Sequence, residues 1–296
     1  MKTHKYLFLS ILFIFMIQGC NKQYDYFNLD KKISSKQIRA KLSNKGFLKF
    51  TTYNDFESTI TYLNSTNDDS KLVEINNLFP TFHSMKEIYT EKELSSKGIY
   101  DDLLASILNK NGEIQIGDYI YQVQIPLEVV YRILANKYTS PASFNNKSEI
   151  EVFSIYDELT EKGIIVSNKR SCCSRKNKKG PYYFYMVNGE HLKYKLVYQS
   201  SFFYHALLAK IKRTSLNWGG PLEFGMHTVG YNYYTKCKRH TDRINFSLGG
   251  NRRVYSYRIQ GKMAKYKLRV QFSAGLIDNY GTSYDLHFNT LGIHCP

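Results

Sequence analysis

Apolar residues fall into two rhythms along this chain. From about residue 54 to 108 they recur at three- and four-residue spacing, the period of an amphipathic helix, and from about 183 onward they alternate with polar residues, the period of a strand. In NDFESTITYLNS, Phe56, Ile60 and Leu63 share a helical face, and Asn54 and Glu57 stand at capping-box spacing. After a turn around Pro80, SMKEIYTEKEL offers Ser84 and Glu87 as a second cap. IYDDLLASILNKNGEIQIGDYIYQV then changes period. Leu103, Leu104, Ile107 and Leu108 are helical, whereas Ile114, Ile116, Ile120 and Val123 belong to extended segments, with turns at Asn111-Gly112 and Gly117-Asp118. LEVVYRILANKY is helical by periodicity, and KSEIEVFSIYDELTEKGIIV combines a strand with a helix start.

The second half reads as strands. YYFYMVNGEHLKYKLVYQ turns at Asn188-Gly189, and its return strand sets Leu192, Tyr194, Leu196 and Tyr198 on one face against Lys193 and Lys195 on the other. MAKYKLRVQFSA opposes Tyr266, Leu268, Val270 and Phe272 to Lys265, Lys267 and Arg269, while SFFYHALLAKIKR and RRVYSYRIQ are further strands. The expected fold class is α+β: a small helical domain with a β-hairpin over residues 47–167, then an antiparallel β-sandwich-like domain over 168–296, one face packed and the other wet and basic.

Charge divides the chain at the same place. Residues 21–165 hold 17 Lys and Arg against 20 Asp and Glu, and residues 166–296 hold 22 against 5, so the balance moves from −3 to +17. An anion-facing C-terminal half is the expectation.

At the N-terminus, Lys2 and Lys5 precede an apolar run from Tyr6 to Ile17, of signal-peptide rather than membrane-spanning length. Gln18, Gly19 and Cys20 resemble the lipobox of bacterial lipoproteins, which implies removal of residues 1–19 and acylation of Cys20. Residues 20–46 read as a polar tether, and no other segment has the length and apolarity of a span. An outer-membrane location is expected because Asn21 does not resemble an inner-membrane retention signal; periplasmic and surface faces both stay open.

The run LLASILNKNGEIQIGDYIYQV, preceded by the NDFESTITYLN and SMKEIY helices, resembles a family of lipoproteins of Bacteroidota-type bacteria classed as domains of unknown function. The similarity rests on Leu108-Asn109, Gly112 to Ile114, Ile116 to Asp118 and Tyr119 to Tyr121, and covers residues 47–124 best. It implies a cell-envelope lipoprotein and brings no catalytic residues.

With Cys20 lipidated, Cys172, Cys173, Cys237 and Cys295 remain, an even number that suits disulfides in an exported protein, from the adjacent pair to Cys237 or Cys295. A metal site is disfavoured, since the spacing of Cys172, Cys173, Cys237, His240, His294 and Cys295 matches no zinc module, and no cofactor motif is present. His205, His227 and His287 read as structural, although Asp285 and His287 would share a strand face. The basic groups are more suggestive. Lys176, Lys178, Lys179, Lys238, Arg239, Arg252, Arg253 and Arg258, interleaved with tyrosines, are the expected binders of an acidic glycan or lipopolysaccharide phosphates; envelope location disfavours nucleic acid. A non-enzymatic anion-binding lipoprotein is therefore the leading expectation. The alternatives are an assembly protein docking an envelope partner through strand edges and, behind it, a glycan hydrolase.

Overall fold

The computed structural model describes residues 37–66, 69–159, 165–166, 178–179, 183–187, 190–213, 222–235, 238–242, 245–248, 254–260, 265–277, 283–287 and 291–295. The fold is mixed helix and sheet. Strands β1 (Ala40–Leu42) and β2 (Leu48–Phe50) form a first hairpin, and β3 (Glu113–Ile116) lies parallel to β2. A parallel pair needs a long crossover, supplied by five short helices: α1 (Tyr53–Leu63), α2 (Leu72–Leu78), α3 (Met85–Ile88), α4 (Glu91–Ser96) and α5 (Asp102–Ile107). The remaining neighbours, β4 (Tyr119–Gln124), β5 (Val129–Leu134) and β6 (Glu151–Ser154), are antiparallel and complete a sheet ordered β1-β2-β3-β4-β5-β6.

Side chains stop the helices where the sequence leads one to look, with small shifts. Helix α1 buries Phe56, Thr59, Ile60 and Leu63, but its cap is Thr52, whose hydroxyl accepts from Asp55 N at 3.1 Å, two residues ahead of the expected Asn54. Ser84 caps α3 as expected, accepting from Glu87 N at 3.2 Å. Between α5 and β3, Gly112 adopts φ +78°, and a Cβ there would stand 3.0 Å from Val123 O, so the turn requires glycine.

Three expectations fail in the first half. LEVVYRILANKY is not a helix: the 3₁₀ turn Ile125–Leu127, containing Pro126, ends with Glu128 at φ +57°, and the chain continues as β5. The β-branched pair Val129-Val130 and ladders on both sides, to β4 and β6, outweigh the helical spacing. Residues 47–167 are thus not a mainly helical domain with one hairpin; the expected hairpin β3–β4 is the centre of a six-stranded sheet. Strand β1 likewise begins inside the stretch expected as a tether.

The second half supplies β7 (Glu158–Leu159), β8 (Ile165–Val166), β9 (Lys178–Lys179), β10 (Tyr183–Val187), β11 (Glu190–Ser201), β12 (Tyr204–Arg213), β13 (Leu222–Thr235), β14 (Lys238–Asp242), β15 (Asn245–Leu248), β16 (Val254–Gln260), β17 (Lys265–Ile277), β18 (Ser283–His287) and β19 (Leu291–Cys295). One antiparallel sheet runs β10-β11-β12-β16 with β9 beside β11; another runs β14-β13-β17-β18, with β15 on β13 and β19 on β17.

The tip of the β11–β12 hairpin reaches into the core of the first half. Its two turn residues are Phe202 and Phe203, both buried, with Ser201 opposite Tyr204. Phe202 stacks on Phe153 at 5.4 Å between ring centroids, and Phe203 packs edge-on against Phe56 and Tyr121 at 5.5 and 5.9 Å. A buried turn must place its backbone polar groups, and here Phe202 N donates to Ile155 O at 2.8 Å while Phe202 O accepts from Leu159 N at 3.2 Å. Chain on both sides of residue 167 therefore contributes to one core, which gathers Phe50, Phe56, Leu104, Ile114, Tyr121, Phe202, Phe203 and Tyr204. A smaller cluster of Phe47, Ile120, Ile133, Tyr138 and Phe144 completes the burial of the six-stranded sheet. Phe203→Ala should cost about 3–5 kcal/mol through the cavity it leaves, measured as a lowered urea midpoint with an unchanged m-value.

Candidate functional site

Strand alternation sets the chemistry of the hairpin's other face. Lys193 stands directly opposite Lys212, and Lys195 directly opposite Lys210, so four lysines share one side of a two-strand patch. On β16, Ser256 lies opposite Lys210 and Arg258 opposite Leu208, which adds a guanidinium to the same side. Like charges paired across strands destabilise a sheet by roughly 0.2–1 kcal/mol each. The arrangement persists because carboxylates from the helical crossover meet it.

The expected wet basic face is therefore a packed one. Lys195, Gln199, Lys210 and Arg258 are buried, and this side of the sheet covers the loop and helix start at residues 98–102. Gln199 Oε1 accepts from Tyr100 N at 2.6 Å, its Nε2 donates to Gly98 O at 3.2 Å, and Lys195 Nζ donates to Tyr100 O at 2.9 Å. Asp101 caps α5 by accepting from Leu103 N at 3.0 Å, and the same carboxylate accepts from Arg258 Nε at 2.8 Å and Tyr204 Oη at 2.6 Å. Arg258 Nη1 lies 2.5 Å from Asp69 Oδ1, and Ser256 Oγ donates to that oxygen at 2.7 Å. Lys210 Nζ bridges Asp69 Oδ2, at 2.7 Å, and Asp102 Oδ2, while Lys86 from α3 reaches Asp102 Oδ1 at 2.9 Å. Asp69 holds φ +58°, a left-handed conformation that aspartate tolerates better than most residues and that its three partners fix.

Burial alone would push the Asp69 carboxyl up; the Arg258 guanidinium and Lys210 ammonium beside it outweigh that and hold it well below the usual carboxylate range. Burial opposes Asp102 in the same way, and Lys210, Lys195 and Lys86 together hold it low. For Lys195 the balance goes the other way: burial pushes its ammonium down, and Asp102 only partly restores it.

Outward from this network lie Lys193 and Lys212. Glu91, the first residue of α4, sets Oε2 2.7 Å from Lys193 Nζ and Oε1 3.6 Å from Lys195 Nζ. Lys212 is exposed and makes no ion pair among the described residues. Lys86, Lys193, Lys195, Lys210 and Lys212 thus line one small pocket with Glu91 and Asp102, and Lys86, Asp102, Lys210 and Lys212 also wall a cleft of about 410 Å³ that includes Asp69, Glu87 and Asn76. Beyond the far end of α4 lies a second cleft of about 380 Å³, lined by Tyr89, Lys97, Lys110, Asn111, Gln122 and Gln124, with no carboxylate in its wall among the described residues. A helix of six residues spans about 9 Å, so the two clefts are near neighbours.

Of the cations expected to bind an anion, Arg258 is not available to one: its side chain is fully buried and paired to two aspartates. Lys178 and Lys179 form β9 opposite Tyr198 and Val197, and Lys238 and Arg239 open β14 opposite Thr235 and Tyr234. Lys176, Arg252 and Arg253, like Cys20, Cys172, Cys173 and Cys237, lie outside the described residues; Cys295 ends β19 opposite Tyr266. His205 is buried, with Nδ1 2.9 Å from Ser200 Oγ, in keeping with a structural histidine. Asp285 and His287 occupy alternate positions of β18, opposite Gly275 and Ser273. The residues that sequence reasoning passed over are Asp69, Asp101, Asp102 and Glu91. Their one signal was the acidic balance of the first half, whose meaning depends on a partner surface more than 90 residues away.

No family model matches the chain, and no curated protein matches it significantly by sequence. No helix among the described residues is long and apolar enough to cross a membrane.

Asp101→Asn should cost about 1–3 kcal/mol, because it leaves the buried Arg258 with Asp69 as its one remaining carboxylate among the described residues, and equilibrium unfolding reads this directly. The pH dependence has a definite sign. Asp69 and Asp102 have folded-state values below their ordinary 3.8, so the stability they add is complete at neutral pH and is lost as pH falls below about 4. Unfolding curves of Asp102→Asn and the parent protein should differ most at pH 7 and converge toward pH 2.

Proposed function

We propose that this is a lipid-anchored cell-envelope protein that binds an anionic glycan or another polyanionic envelope component, such as the sugar-phosphate region of lipopolysaccharide, without turning it over. The observation that carries the reading is the convergence of Lys86, Lys193, Lys195, Lys210 and Lys212 on one pocket, with Lys212 exposed and the adjoining cleft open. Across the pocket and the adjoining cleft the five lysines face Glu91, Asp102, Asp69 and Glu87, and the small positive excess falls at the exposed Lys212, where an anion would relieve it. The neighbouring cleft, with its carboxamides, two lysines and Tyr89, has the hydrogen-bonding groups and aromatic surface that suit a sugar chain continuing past the charged site. In this reading the antiparallel strands of the second half form a sandwich-like frame that presents the lysines. Cys20 carries the lipid that holds the protein at the outer membrane, in line with the lipobox-like Gln18-Gly19-Cys20 and the family resemblance of residues 47–124.

Binding of the soluble chain to matched acidic and neutral glycans, at low and high salt, tests the proposal. Acidic members should bind selectively, affinity should fall as salt is raised, and Lys193→Ala with Lys212→Ala should weaken it by about tenfold or more. Equal binding of neutral and acidic glycans, or indifference to salt, would sink the ionic mechanism.

A further inference from the structure

The lysine pocket already contains an oxyanion of the protein's own. Glu91 places one carboxylate oxygen on Lys193 and the other near Lys195, the way a bound anion would bridge two ammonium groups. We infer that the group this pocket takes is a phosphate monoester, and that it binds by displacing the Glu91 carboxylate from Lys193 and Lys195. The inference rests on the anion-binding reading above and narrows it to one chemical class.

Three observations support the exchange. First, the space beside Glu91 is about 20 Å³, room for one water and not for a phosphate, so an anion enters only where the carboxylate leaves. Second, Glu91 can leave without loss of its helix. The cap of α4 is made by its neighbours, with Thr90 N donating to Glu93 Oε2 at 2.7 Å and Glu93 N to Thr90 Oγ1 at 3.3 Å, and the Glu91 side chain is 38% exposed. The inner carboxylates Asp69 and Asp102, at 11% exposure against 38% for Glu91, are the more deeply enclosed.

Third, the exchange is favourable only for an anion richer in charge and oxygens than a carboxylate. A ligand carboxylate would replace one charge and two oxygens with the same. A phosphate monoester brings about 1.5–2 negative charges and three terminal oxygens, so it can keep both lysine contacts and add Lys212, which makes no ion pair among the described residues. Lysines, as compact point charges with rotatable donors, suit a tetrahedral oxyanion approached from several sides. Glu91 is thus the specificity-determining residue, holding monocarboxylates out and yielding to the dianion.

Calorimetric titration of the soluble chain with inorganic phosphate, glucose 6-phosphate and glucuronate, at fixed ionic strength, tests this. The parent protein should bind both phosphates and not glucuronate; tighter binding of glucose 6-phosphate than of phosphate would mark a phosphosugar as the source, and equal binding free phosphate. Glu91→Gln should raise phosphate affinity by about tenfold and admit glucuronate, and the exposed Lys212→Gln should lower phosphate affinity by about tenfold with an unchanged melting temperature. If acidic glycans bind in a salt-dependent way but Glu91→Gln leaves phosphate affinity unchanged, displacement is wrong and the broader reading stands. If neither protein binds any anion, both are wrong. Equal affinity of the parent for glucuronate and glucose 6-phosphate would overturn the phosphate assignment alone.

Discussion

Charges removed from water must meet their opposites, and in this protein that requirement joins chain segments far apart in sequence. Asp69, Asp101 and Asp102 come from the helical crossover, Lys210 and Arg258 from strands 108 to 189 residues later, and each is buried only because the others are. Such a network adds little net stability over an apolar packing of the same volume, because desolvation cancels most of the attraction. What it supplies is uniqueness of register. Shifting β12 by one residue would turn Lys210 to the opposite face of the sheet and leave Asp69 and Asp102 without their shared cation. Part of the charge imbalance between the halves is spent here, where Glu91, Asp69, Asp101 and Asp102 meet Lys193, Lys210 and Arg258.

The same constraint gives the pocket its gradient. Deep in the network Lys210 and Arg258 each meet two carboxylates; at the rim of the same strands Lys212 is exposed and has no ion pair among the described residues. Lysines carried on paired strands inherit the rigidity of the sheet, so their ammonium groups are positioned with little ordering cost.

How much of this was legible depended on the range of the interaction. Elements governed by local chemistry were readable: the buried face of α1, the Ser84 cap, the glycine turns around β3, and the alternation of Lys193 and Lys195 against Leu196 and Tyr198. Elements decided by tertiary partners were not. Residues 128–134 carry a helical spacing that neighbouring strands override, and Phe202-Phe203 lacks every mark of a turn because its backbone is satisfied by Ile155 and Leu159 rather than by water. Arg258 is indistinguishable in sequence from a solvent-facing arginine until Asp101 and Asp69 are seen beside it. The six-stranded sheet was hidden for a related reason, since β1, β2 and β6 are three or four residues long and show too few alternations to register.

The aromatic hairpin tip also sets an order of assembly. Phe56 and Tyr121 lose water fully only when Phe202 and Phe203 arrive, so a chain synthesised as far as residue 160 still lacks part of the interior around them. Contacts spanning 80 to 150 residues carry a large loop-closure cost before they return any burial, which slows folding and lengthens the time that apolar surface stays open. The late hairpin thus acts as a delayed clasp. Until it docks, the apolar surface around Phe56 and Tyr121 stays open, and a chain truncated before residue 202 would leave that interior exposed to aggregation.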